Sequence, residues 1–198
     1  MVHFIADVCG KLFYLMLLNF YWWRFTLLGG VVFSFIPATI TVYECLRKRI
    51  LDQNEQPLKE LFKERYIKNK NYGLSCCIWM ILLLFIFQHH VFMSVSEKHI
   101  LLEFMIGIYF LLGLLLCIVF FPVQAYFSLD KYRLIVQPLI FIFICPIQTI
   151  VSGMALYGIY LLYLIFPVVA ICFGIAPIAY MIGFLFFKKF EKMRGQYF

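Results

Sequence analysis

The chain has 198 residues, of which 65% belong to the set Ala, Val, Ile, Leu, Met, Phe, Trp, Tyr and Cys and 14% are charged. Soluble domains run at roughly 45–50% apolar and about 25% charged. A chain this short has no interior large enough for 24 phenylalanines and 13 tyrosines, so the composition argues against a water-soluble globule and for an integral membrane protein. The formal net charge of +7 would suggest a nucleic-acid partner in a soluble chain; here it reads as membrane topology, and no nucleic acid is expected.

A helix crossing the hydrocarbon core needs roughly 20 largely apolar residues. Five runs meet that length, at about 12–36, 72–92, 100–121, 134–151 and 156–187. The expected architecture is therefore all-α, a polytopic bundle of about five transmembrane helices forming one membrane domain over 1–198. The start carries Asp7, the following apolar run exceeds 20 residues and no Ala-x-Ala site follows, so no cleaved signal peptide is expected.

The first run contains Arg24, where a cation costs on the order of 3 kcal/mol or more unless paired or snorkelled. Tyr21, Trp22 and Trp23 beside it resemble an aromatic interfacial belt, which would put Arg24 at headgroup level. The alternative is a bundle-facing Arg24 paired with Glu103 of the third run. The first run also continues past Pro37 to Tyr43, so it can conceal a kinked or re-entrant pair, with Gly29-Gly30 as the candidate break.

The segment 37–70 is too polar to insert and reads as two amphipathic helices. Pro37 is expected to open the first, where its missing donor costs nothing, with Ile40, Tyr43, Leu46 and Ile50 at helical spacing. Pro57 opens the second, with Leu58, Leu61, Phe62 and Tyr66 on one stripe. The segment is expected either to lie on the inner leaflet, its basic residues near anionic headgroups, or to form a docking surface for a partner. Arg47, Lys48, Arg49, Phe62 and Lys63 are the candidate residues for either role.

His89, His90, Glu97 and His99 cluster at the outer ends of the second and third runs, but adjacent histidines diverge on a helix while metal ligands must converge; no metal and no cofactor are expected. Asn19, Thr26, Gln124, Gln137 and Gln148 are the polar groups inside apolar runs, and their expected role is hydrogen bonding between helices. Pro138 and Pro146 in the fourth run, and Pro167 and Pro177 in the last, predict bends. Ala170 with Gly174 and Ala179 with Gly183 have the small-residue spacing that permits close helix contact. The seven cysteines show no CxxC pair and read as apolar core residues.

Lys and Arg counts set orientation. In a five-span layout 14 of the 17 basic residues fall in the segment 37–70, the loop before Leu134 and the C-terminal tail. These share one face, which predicts the N-terminus outside and the C-terminus in the cytoplasm. Neither a phosphate-binding glycine-lysine loop, nor His-Glu-x-x-His, nor Gly-x-Ser-x-Gly occurs, and the expectation is a protein without catalytic activity.

Asn19-Phe-Tyr-Trp22-Trp23-Arg24-Phe25-Thr26-Leu-Leu-Gly29, followed by Pro37-Ala38-Thr39 and the basic Arg47-Lys48-Arg49, resembles the signature of the YesL family of bacterial membrane proteins. The element Phe121-Pro122-Val-Gln124-Ala-Tyr126-Phe127 resembles that family's exit from its third span. Arg24 departs from the family pattern, which is apolar there. The family is a domain of unknown function, found largely in Firmicutes and tending to be encoded beside carbohydrate uptake systems of the ATP-binding-cassette type. The resemblance implies a multi-pass protein of the bacterial plasma membrane, accessory to such a system and contacting its permease subunits. A small transporter in its own right and a role in envelope polymer assembly are the alternatives.

Overall fold

A computed structural model describes residues 2–52, 56–70, 100–127 and 133–197. Every described element is helical: α1 (Val2–Leu28), α2 (Val31–Arg47), a π-helical turn (Lys48–Asp52), α3 (Leu58–Asn69), α4 (Ile100–Phe127), α5 (Arg133–Ile144), α6 (Pro146–Ile165), α7 (Pro167–Phe173) and α8 (Ala176–Tyr197). The all-α expectation is met among these residues. The expected span over 72–92 and the histidine group lie outside them.

The helix α2 is the axis of the bundle, packed against α1, α3, α4 and α8. From Ile36 to Leu46 every residue is buried. A helix so enclosed needs side chains that pack on all sides, and this stretch supplies Ile, Ala, Val, Tyr, Cys and Leu, with Pro37, Thr39, Thr41 and one carboxylate, Glu44, among them.

The first apolar run is not one helix. Gly30 has φ +79, a conformation nearly free to glycine and costly to other residues, and the chain reverses there. Trp22 consequently faces Phe35 and Thr39 across an antiparallel hairpin of α1 and α2. This corrects the single span over 12–36. It also moves the helix start: α2 begins at Val31, with the Phe33 and Ser34 amides bonded to the Gly30 carbonyl, so Pro37 lies inside the helix instead of opening it. Residues 37–46 are consequently core and not a surface helix.

Antiparallel packing also corrects the placement of the N-terminus opposite the basic segment. The Arg49 guanidinium stands 4.8 Å from the centre of the Tyr14 ring, so the N-terminal half of α1 and the chain after α2 share one end of the bundle.

The last two runs divide differently from the expected 134–151 and 156–187. Cys145 ends α5 and Pro146 opens α6, which continues unbroken through 151–156. The pair α7 and α8 is bent by 65° at Gly174. Among the described residues α6 is long and apolar enough to cross a bilayer, and α7 with α8 passes the same test only if the bent pair is counted as one span.

The polarity of α6 is inverted relative to a soluble helix. Its buried residues are Thr149 and Ser152, whereas Ile147, Ile150, Met154, Leu164 and Ile165 are each more than 60% exposed.

Candidate functional site

The motif of the N-terminal segment forms the packing seam of the hairpin. On α1, Leu15, Leu18, Asn19, Trp22 and Thr26 recur every three or four residues and are buried, while Phe13, Met16, Phe20, Trp23 and Leu27 face outward. Facing them on α2, Ala38 is fully buried and Thr39 nearly so. The Trp22 indole N–H donates to Thr39 Oγ1 at 3.1 Å, and Thr39 in turn donates to the Phe35 carbonyl at 2.7 Å. Thr41 donates in the same way to the Pro37 carbonyl at 2.7 Å. Short hydroxyl side chains bond back one helical turn readily.

Asn19 reaches the bend between α7 and α8. Its Nδ2 donates to the carbonyls of Ile171 at 3.2 Å and Cys172 at 3.1 Å, and its Oδ1 accepts from the Ile175 amide at 3.3 Å. In a continuous helix the Ile171 carbonyl would accept from the Ile175 amide; one side-chain amide replaces both halves of that lost bond. The Tyr163 hydroxyl donates to the Gly174 carbonyl at 2.6 Å. Gly174 has φ +46, and a Cβ there would overlap the Asn19 side-chain oxygen, so glycine is required twice over.

The stripe expected on α3 is present, with Leu58, Leu61, Phe62 and Tyr66 buried, but it faces the bundle. Phe62 stacks on Tyr21 with ring centres 6.0 Å apart and lies 5.2 Å from Phe25, leaving nothing of it for lipid or a partner. Tyr66 donates to Ser34 Oγ at 2.9 Å, and Asn69 to Thr41 Oγ1 at 3.3 Å. Gly29 sits beneath this contact, where a Cβ would overlap both Ser34 and the Tyr66 hydroxyl. The other face of α3 exposes Lys59, Glu60, Lys63, Glu64 and Lys68. A face so charged is suited to water and not to hydrocarbon.

Within that contact Glu44 is buried, its Oε2 4.0 Å from Arg65 Nε and without a hydrogen-bond partner among the described residues. Burial pushes its carboxyl above the ordinary carboxylate range, opposed by Arg65, Asn69, Lys68 and Arg47.

Arg47 is a cap. Its NH1 donates to the carbonyls of Ala125 at 3.1 Å and Tyr126 at 2.9 Å, in the last turn of α4, and its guanidinium lies 4.9 Å from the Tyr126 ring centre. Those carbonyls have no intrahelical donor, and a cation there also meets the negative end of the helix dipole. Of the five residues considered for a lipid or partner surface, Phe62 and Arg47 are committed to packing; Lys63 and Arg49 are exposed and Lys48 is partly so.

Arg24 is exposed on α1. The Glu103 side chain lies outside the described residues, so the expected pair does too. Gln124 is buried with its Oε1 unpartnered among the described residues, as is the Thr26 hydroxyl.

Glu44, Asn69, Tyr163 and Gly174 were not singled out by sequence as polar partners. Of these, Gly174 carried a signal, since glycine three residues before Pro177 is a breaker pattern.

The fold defines an all-helical bundle built round a buried central helix and a hairpin whose seam is the N-terminal motif. Residues 15–91 match the family described as "Protein of unknown function, DUF624", a stretch that contains every motif position from Asn19 to Thr39. The chain is also similar to the uncharacterized protein YesV of Bacillus subtilis (strain 168), with 29% identity over 191 residues that cover 91% of this chain and 88% of that one. No solved structure matches the chain.

Proposed function

We propose that the chain is a YesL-type, multi-pass protein of the bacterial plasma membrane, without catalytic activity, that serves as an accessory subunit of a carbohydrate uptake system of the ATP-binding-cassette type. The observation that carries the membrane assignment is α6, which buries Thr149 and Ser152 and exposes isoleucines, leucines and Met154. Turning apolar side chains outward costs about 25 cal/mol per Å² in water and nothing in hydrocarbon. The basic end, with Lys48, Arg49, Lys188, Lys192 and Arg194, faces the cytoplasm under the positive-inside rule, and the N-terminal half of α1 lies at that end.

The scaffold reading is supported by where the polar side chains go. Asn19, Trp22, Thr39 and Arg47 bond backbone carbonyls or one another, which uses them for architecture. The uptake system and its permease subunits come from the YesL resemblance. Isolation of the tagged protein in mild detergent tests that part: permease subunits are expected to copurify, and a clean single species contradicts it. A small transporter in its own right is the second reading, favoured by the discontinuous α7–α8 pair, a helix type found at the sites of secondary transporters; uptake by proteoliposomes holding this chain alone would support it.

A further inference from the structure

The seven residues of α7 have no buried side chain. Val168 and Ile171 are 70% and 71% exposed, and Phe173, half-buried, is where it touches the core. Its neighbours are anchored differently: α8 buries Ala176, Ala179, Ile182, Phe186, Phe187 and Phe190.

Both ends of α7 are non-helical joints. Phe166 before it has φ −124 and ψ 77, and Gly174 after it has φ 46 and ψ −118. Pro177 has no N–H to offer the Phe173 carbonyl, so even a straightened α7–α8 helix lacks one bond at this point. What holds the bend is polar: the Asn19 side chain on both sides of the joint and the Tyr163 hydroxyl on the Gly174 carbonyl. A segment with few buried apolar contacts opens at low free energy.

We propose that α7 is a movable strut, swinging as a unit about Phe166 and Gly174, and that the Asn19 side-chain amide and the Tyr163 hydroxyl together are the latch that holds it in the bent position. The inference is independent of the uptake role, since it rests on the two joints and the latch alone. Movement of α7 would reshape the outward apolar surface made by Val168, Ile171 and the adjoining end of α6.

Hydrogen exchange read by mass spectrometry on the full chain in detergent tests it. In the unmodified protein the amides of 168–174 are expected to exchange about tenfold faster than those of 182–190. In Asn19→Ala the 168–174 amides accelerate together by about a further tenfold, with 182–190 unchanged. A static bend gives a different result: only the Ile175 amide, which bonds Asn19, speeds up, and that outcome overturns the proposal. Should Asn19→Ala not fold, Tyr163→Phe removes the Gly174 contact and leaves Asn19 in place. Concerted acceleration of 168–174 then supports the strut, and unchanged exchange overturns it.

Discussion

Asn19 on α1 and Cys172 at the end of α7 are 153 residues apart in sequence and joined by a 3.1 Å hydrogen bond from the Asn19 amide to the Cys172 carbonyl. That bond and its two companions give the Ile171 and Cys172 carbonyls and the Ile175 amide partners where the helix breaks. Each interhelical hydrogen bond in a membrane protein contributes about 0.6 kcal/mol on average, whereas a buried group left unpaired costs about 1–3 kcal/mol. Asn19→Leu, similar in size and without polar atoms, is therefore expected to cost about 2–4 kcal/mol, measured by denaturant unfolding in detergent. Asn19→Asp keeps the acceptor for the Ile175 amide but puts a carboxylate oxygen against two carbonyls, and it should be no better than leucine.

The same junction makes Gly174 irreplaceable. Alanine at φ +46 is strained, and its Cβ overlaps the Asn19 oxygen. Gly174→Ala is expected to destabilise by about 1–3 kcal/mol. Gly153→Ala in α6, where a Cβ meets nothing within 4 Å, is expected to be neutral or slightly stabilising because alanine is the better helix former. Equal effects at the two sites, in thermal unfolding, would contradict the geometry at Gly174.

The Trp22–Thr39 bond that closes the hairpin is open to a double-mutant cycle. Trp22→Phe and Thr39→Val each remove one partner, and the pair is expected to be coupled by about 1 kcal/mol. Additive losses would mean that the indole N–H contributes nothing across the seam.

Glu44 gives the bundle a pH dependence of defined sign. Its folded carboxyl is held above the ordinary carboxylate pKa, mainly by burial, so the fold favours the protonated form. Stability from this group is fully present below the unfolded carboxyl pKa and is lost as pH rises through the folded value. The 4.0 Å approach of Arg65 is too long to be a hydrogen bond and offsets burial only in part. Glu44→Gln is expected to raise the melting temperature at pH 7.5, with the gain shrinking towards pH 4; a gain of equal size at both pH values would place the effect elsewhere.

Much of the architecture is legible in local sequence. The α3 stripe from Leu58 to Tyr66 follows helical period, and the Gly29-Gly30 pair marks the reversal between α1 and α2. Pro37 misleads because proline suits a helix start equally well; what decides the boundary is the positive φ of Gly30, which leaves the helix already formed six residues earlier. The gap between the expected runs 134–151 and 156–187 falls inside α6, where Ser152 is fully buried. Polar residues on the inner face of a helix whose outer face is apolar mimic a loop. The partners of Asn19 and Arg47 are not legible at all, since both bond main-chain carbonyls, which carry no sequence signal, from far along the chain.

The assignment to a membrane stands on the outward face of α6, and Met154, 70% exposed on it, is the place to test it. With the seven cysteines replaced by alanine and a nitroxide attached at Met154→Cys in lipid nanodiscs, collision with oxygen and with a water-soluble nickel chelate reports the surroundings of that position. Strong relaxation by oxygen and weak relaxation by nickel is the predicted result; strong relaxation by nickel, indicating water against α6, would contradict it.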